Sequence, residues 1–359
     1  MDRVDVLIIA ALPMEFDAAK AQVREWTPED PDSSHPYLRG EYRCADGKRL
    51  AVALARPTRM SGRHTGPLAT TLAAKLRPDC LAMPGVCAGN PAEVALGDVV
   101  VAEMTYEYDE GKLTADGFVG DHRQYQLDDR WVRAAQDLDP SGLPGYGPAS
   151  EAEAANWLLE RLYLGQEPTK HPAFRSYFPE GTWQPRTAAV EARGHLARAG
   201  AGWVLSEAGR AHIERVRYDD VYGPERLPFA VAVAPMASGS YVAKDGEHWR
   251  RLAAMGVRSV AGLDMEAATV ATVAHTQRVP HWLVAKGVMD HADPEKDDRY
   301  KGFAARASAQ VLFALLDRLA GRSSGAPEPS RAESGPIRLD NARGVQIGDH
   351  NTQHNTFSG

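Results

Sequence analysis

The residues able to do chemistry fall where apolar runs end. FAVAVAPMASGS closes on Gly239 and Ser240, VRSVAG runs into LDMEA with Asp264 and Glu266, and HWLVAKGVMD closes on Asp290. Near the start, the run Val4 to Leu12 is followed by Pro13 and then Glu15. In a parallel α/β sheet the strand C-termini share one edge, and ligands sit there. The expectation is that carboxylates from separate strand ends meet in one crevice. Two such groups can divide the work of general acid and general base. For Glu15 taken alone there is a plainer account: an acidic residue in a helix first turn is favoured by the helix dipole.

Two further stretches carry candidate chemistry. RPTRMSGRHTG (56–66) joins a strand, Arg49 to Ala55, to a helix reaching Leu76. Its arginines and histidine either cradle an anion at the helix start or form a solvated loop. The strand Asp79 to Gly85 ends in PGVCAGN. Its glycines also suit ordinary tight turns, and Cys87 has no partner motif that would make it a nucleophile. Tyr106 and Tyr108 lie on the strand LGDVVVAEMTYEY, where aromatics line a pocket or fill a core.

ASGSYV, LDMEA and KGVMDHAD, with IIAALPMEF and LGDVVV, resemble in order and spacing the signature segments of the purine nucleoside phosphorylase and nucleosidase superfamily. The likeness is to its methylthioadenosine/S-adenosylhomocysteine nucleosidase branch. The resemblance covers residues 4–138 and 227–319 and implies a three-layer α/β fold with a central mixed sheet. It implies that Asp290 protonates the purine at N7, Glu266 holds the ribose hydroxyls and Glu15 activates the attacking water. Gly85 and Cys87 match a small-residue turn lining the base and ribose pocket, and Ser240, Met265 and Met60 fall beside the substrate. Val242 stands where the family stacks an aromatic on the purine, Lys286 where it has an arginine, and Met289 where a polar residue precedes the acid. The family's loop near the 5′ end of the ribose is apolar, whereas Arg59 and Arg63 flank Met60 here, which implies a 5′-phosphorylated substrate.

The resemblance thus implies a purine nucleosidase that hydrolyses the N-glycosidic bond of a nucleoside or nucleotide, an adenine nucleotide among the candidates, without metal or cofactor. Hydrolysis is favoured over phosphorolysis because Glu15 occupies the water-activating position. The alternatives are a phosphate-dependent phosphorylase and a non-enzymatic nucleoside-binding sensor or scaffold.

The elements that must position these groups follow from the whole chain. With 359 residues, 43% hydrophobic and 25% charged, it is an ordinary globular composition that can bury one large core or two modest ones. A net charge of −7 argues against a dedicated nucleic-acid binder. Three scattered cysteines, no signal-peptide pattern and no apolar run long enough to span a membrane fit a cytoplasmic protein. Residues 139–226 interrupt the family pattern as an inserted helical subdomain, with helices expected at EAEAANWLLERLYL, from Arg193 to Ala201, and after VLSEAG. Its last part resembles the closing half of a winged helix; protein contact is favoured there over DNA binding. A helix from Asp297 to Leu319 ends the globular part, and residues 321–336 form a Gly/Ser/Pro linker.

Behind that linker lies VQIGDHNTQHNTF, within the tail 337–359. Amides at alternate positions are the pattern of stacked in-register strands, and a disordered polar tail is the alternative. Val345, Gln346, Ile347, Gly348 and Asn351 resemble the RIP homotypic interaction motif and related bacterial amyloid signalling motifs. Nucleosidase domains joined to such motifs resemble effectors of bacterial defence and programmed death. The expected partners are a purine nucleoside or nucleotide, further copies of the chain in a homo-oligomer, and a protein carrying the same motif.

Overall fold

The computed structural model describes residues 3–115, 117–200, 202–219, 223–241, 246–257, 259–294 and 298–320. These residues lie within one compact unit, 1–321. Val242 and the motif residues Val345, Gln346, Ile347, Gly348 and Asn351 lie outside the described residues.

The chain opens with β1 (Val6–Ile9), four apolar residues all buried, and α1 (Pro13–Lys20), whose first position is the proline. Proline's fixed φ and missing N–H suit that position. The hairpin β2 (Trp26–Glu29) and β3 (Tyr37–Arg43) pairs onto β4 (Arg49–Ala55). Then come α2 (Gly62–Leu76), β5 (Cys80–Gly89) and β6 (Val99–Glu107). A hairpin of β7 (Gly111–Thr114) and β8 (Gly117–Gly120) leads to β9 (Tyr125–Gln126) and α3 (Asp129–Gln136).

The inserted stretch contains α4 (Glu151–Tyr163), α5 (Phe174–Tyr177), α6 (Trp183–Ala192), β10 (Leu196–Ala199), β11 (Gly202–Leu205) and α7 (Glu207–Asp219). The last elements are β12 (Val231–Ser238), α8 (His248–Ala254), β13 (Gly262–Asp264), α9 (Ala267–Thr276), β14 (His281–Asp290) and α10 (Lys301–Ala320).

The main sheet runs β13-β12-β6-β14-β5-β1-β4-β3-β2, with β9 on β6. It is mixed: β4, β1, β5 and β14 are parallel neighbours in turn, whereas β14 runs antiparallel to β6. β13 also pairs antiparallel with β5 through Gly262–Gly89 and Leu263–Ala88, so β5, β14, β6, β12 and β13 close into a ring. Alternate residues of β1 feed opposite layers. Val6 and Ile8 pack with Trp131 of α3 and Phe313 of α10, while Leu7 and Ile9 pack with Leu72 of α2 and Val270 of α9. That period-two split produces the helix–sheet–helix sandwich.

Two expectations need correction. Among the described residues of 257–262 the expected strand is absent before Gly262: α8 occupies 248–254, Ser259 has φ 54°, and β13 begins only at Gly262. The expected helix from Arg193 to Ala201 is instead the strand β10. Gly194 and Gly200 take φ of 76° and 60°, conformations that break a helix and open a hairpin.

The inserted stretch has its own apolar cluster around Trp157, Leu158, Phe178, Val190 and Ile213. Its ends lie side by side, because Gly147 N–H donates to Leu227 C=O and Leu227 N–H to Gly145 C=O. Ser206 caps α7, accepting from Gly209 N–H at 2.9 Å. Among the described residues no helix is long and apolar enough to cross a membrane.

Candidate active site

Glu15, Glu266, Asp290, Asp264, Met265 and Cys87 line one cavity of about 100 Å³, together with Met60. The carboxylates do meet in one crevice: Glu15 and Asp290 follow the ends of β1 and β14, both parallel to β5, whereas Asp264 and Glu266 come from β13, which runs antiparallel to β5. β14 is antiparallel to β6, so Asp290 and Glu107 close these neighbouring strands at opposite ends. What gathers the groups is the closure of the sheet. β13 turns back along β5 and carries Asp264 and the following Glu266 toward Lys286 on β14.

Each acid is held differently. Glu15 is 2% exposed, and each carboxylate oxygen accepts a backbone N–H at 2.8 Å, Oε2 from Leu12 and Oε1 from Val86. The helix-start account of Glu15 is therefore half of its role, and the second oxygen ties α1 to β5. Further lone pairs on both oxygens can still bond a water in the cavity. Gly85 is not on the cavity wall; it makes room for Glu15. A Cβ there would stand 2.5 Å from Glu15 Oε1 and 2.9 Å from Lys286 Nζ. Glu266 Oε1 accepts from Ser61 N–H at 2.6 Å, and Asp290 Oδ1 accepts from Ala292 N–H at 2.9 Å.

Lys286 is fully buried, with Nζ 3.2 Å from Asp264 Oδ2 and 3.8 Å from Glu266 Oε2. Burial opposes its charge, but Asp264, Glu15 and Glu266 outweigh that and hold its pKa above the usual lysine value. Burial, with Asp264 and Glu15, raises the Glu266 carboxyl against the lowering effect of Lys286. Asp264 anchors the start of α9: Ser238 Oγ donates to it at 2.7 Å and Ala267 N–H at 3.0 Å. Burial pushes the Cys87 thiol well up, and Asp264 adds to this, so Cys87 is an inert wall residue rather than a nucleophile.

A larger groove of about 1280 Å³ shares Met60 and Met265 with this cavity. Arg59, Arg63 and Ser240 line it, as do Arg56, Arg123 and Glu107. Ser240 N–H donates to Asp109 Oδ2 at 2.8 Å. Burial first, then Asp264 and Asp109, raise the Glu107 carboxyl to about 7.

One wall residue, Tyr241, escaped the sequence reading, as did the buried ion pair of Lys286 with Asp264. Lys286 had a visible signal, a lone charge inside an apolar strand. Tyr241 lines the cavity beside Asp290, so an aromatic is supplied one position before Val242. Its ring packs edge-on against Tyr108 and His248 at 6.0 and 5.6 Å. Tyr106 and Tyr108 are buried core residues and do not line the cavity. Among the described residues no cluster of His, Cys, Asp or Glu is arranged to hold a metal ion.

No family model matches the chain. The uncharacterized protein y4jS of Sinorhizobium fredii is 26% identical over 280 residues, covering 76% of this chain, which spans only 50% of that protein. A 5′-methylthioadenosine/S-adenosylhomocysteine nucleosidase of Mycobacterium bovis is 25% identical over 274 residues, covering 76% of this chain and 82% of its own. Among solved structures, the nucleosidase of that name from Colwellia psychrerythraea, in complex with adenine, superposes with a TM-score of 0.55 at 15% identity, covering 88% of this chain and 96% of that one. The chain has the mixed α/β fold of the 5′-methylthioadenosine/S-adenosylhomocysteine nucleosidases.

Proposed function

We propose that this protein hydrolyses the N-glycosidic bond of a purine nucleoside or nucleotide. The observation that carries the reading is the convergence of Glu15, Glu266 and Asp290, from separate elements, on one buried cavity. Breaking such a bond builds positive charge on the sugar and negative charge on the leaving base, so it needs an acid at the base, a partner for the ribose and a base for water. Asp290 donates to purine N7. Glu266, steadied by Ser61 N–H and Lys286, accepts from the ribose hydroxyls. Glu15 takes the proton of the attacking water, its two backbone donors keeping it aimed. Tyr241 is the ring available to stack on the base.

The test is base release by purified protein, without added phosphate, from a panel of purine nucleosides and nucleotides. Asp290→Asn and Glu15→Gln should each lose activity by about a hundredfold or more. Strict dependence on phosphate would favour a phosphorylase, and binding without turnover would favour a sensor.

The groove bearing Arg59 and Arg63 supports a substrate with a 5′-phosphate chain, adenine nucleotides included. The C-terminal motif, Val345 to Asn351, supports recruitment by a like motif in a partner and a role as a defence or cell-death effector in the cytoplasm. This part rests on sequence alone. The catalytic unit is then 1–138 with 227–320, bearing the winged-helix-like insertion 139–226 as a protein-contact subdomain, and assembled copies act as a homo-oligomer. A peptide of residues 337–359 should form fibrils with a cross-β signature, and Ile347→Asp should abolish them. A peptide that stays monomeric with or without seed would reduce the motif to a polar tail.

A further inference from the structure

Asp290 and Met289 line a second cavity as well, of about 100 Å³, on the side facing the inserted subdomain. Its other walls include His291, Arg161 and Gln166. Arg161 Nε, Gln166 Oε1 and His291 Nε2 are buried there without a hydrogen-bond partner among the described residues. Unpaired buried polar atoms around a polar space of this size call for water, and the volume holds about three molecules at ~30 Å³ each.

The orientation of His291 is set by its other nitrogen. Nδ1 stands 2.7 Å from the Gly89 carbonyl oxygen, which can only accept, so Nδ1 carries the proton. Nε2 of the neutral ring is then a bare acceptor facing the cavity. The charged and titratable groups acting on His291 are Asp290, Asp293 and Arg161, with His171 nearby on the insertion. Burial, reinforced by Arg161, keeps the ring neutral by lowering its pKa. The outer rim of the cavity includes Arg217, whose side chain is 29% exposed and opens it toward solvent.

We propose that this rear cavity is a proton-return path, in which His291 and its waters reprotonate Asp290 after each turnover. The inference rests on the hydrolase reading. In each cycle the C1′–N9 bond breaks and a water oxygen bonds to C1′. Asp290 loses its proton to the base, and Glu15 gains one from the water. The enzyme is left with a proton too many on Glu15 and one too few on Asp290, while the released base still fills the front cavity. A solvent proton enters through the rear waters, rests on His291 Nε2 and passes through water to Asp290. Glu15 releases its extra proton at the front once the products leave.

His291→Asn tests this, because its side-chain amide can still donate to the Gly89 carbonyl while the proton-accepting nitrogen is gone. Rapid-quench measurement should show the first equivalent of base forming at the wild-type rate. Steady-state turnover should fall by about tenfold or more, with recovery on adding imidazole. An equal fall in both phases, or in neither, overturns the relay while leaving the hydrolase reading intact. No base release by the wild type overturns the hydrolase reading and the relay with it. Independently of turnover, ¹⁵N NMR of histidine-labelled protein should find His291 as the Nδ1–H tautomer near neutral pH; an Nε2–H tautomer rules the relay out.

Discussion

Glu107 ends β6 on the wall of the groove that also holds Arg59 and Arg63. Its carboxyl is raised to about 7, by burial first and by the charges of Asp264 and Asp109 after it. Above that value it is an anion set against any phosphate in the groove; below it, neutral. For a nucleotide substrate, the ratio of its KM to that of the bare nucleoside should therefore fall as pH drops from 8 to 6.5, because the raised Glu266 carboxyl acts on both substrates alike. Glu107→Gln should remove the protein's share of that dependence. Arg59→Ala and Arg63→Ala should raise KM for the nucleotide alone, by about 1.5–3 kcal/mol for each charge-assisted hydrogen bond removed. Equal effects on nucleoside and nucleotide would return both arginines to the surface-loop account.

At the scale of elements, the loop before α2 is tied to the segment before α9. Ser61 N–H donates to Glu266 Oε1 at 2.6 Å and Gly62 N–H to Met265 C=O at 2.9 Å. The two helices approach closely because position 62 has no side chain; a Cβ there would collide with Thr269 Oγ1. Thr269 is β-branched and cannot swing away freely. Gly62→Ala should cost about 1–3 kcal/mol in urea unfolding and weaken substrate binding by moving Ser61 from Glu266. Adding Thr269→Ala should recover most of both losses. Failure of the second change to rescue the first would mean that this close approach does not set the spacing.

At the scale of the molecule, Glu160 of α4 fastens the inserted stretch to the segment between β14 and α10. Its Oε1 accepts from Arg217 and Arg299 at 3.0 Å each, and its Oε2 from Arg161 at 2.9 Å. Burial favours the neutral acid, but the arginines, Arg161 first, outweigh it and hold the pKa below the usual glutamate value. A lowered carboxyl pKa stabilises the fold above the unfolded value, and that contribution is lost as pH falls through the folded one. Stability should thus decline from pH 5 to pH 3. Glu160→Gln should be less stable at neutral pH by about 3 kcal/mol, the low end for a broken buried pair because Arg217 reaches solvent. The variant should also show less of the acid decline in urea unfolding across that range. An unchanged profile would mean that Glu160 is not the latch.

Apolar runs of local character specified β1, β4, β5, β6, β14 and α10, because burial on both faces of a sheet demands continuous hydrophobic residues. Local order also brought Glu15, Glu266 and Asp290 into view, since each follows or ends such a run. Hairpin β10–β11 and the short β13 escaped, because positive-φ glycines and a serine in the left-handed region decided them. The residues alone read as parallel strands, and neither the antiparallel pairing of β14 with β6 nor the closure of the sheet through β13 onto β5 was legible. That closure depends on pairing between distant segments, Gly262 with Gly89 and Leu263 with Ala88. It brought Asp264 and Glu266 to Lys286, across from Glu15 and Asp290 on the other strands. In the same way, only the packed molecule set Asp290 between two cavities, one lined by Glu15 and Glu266 and one walled by the insertion.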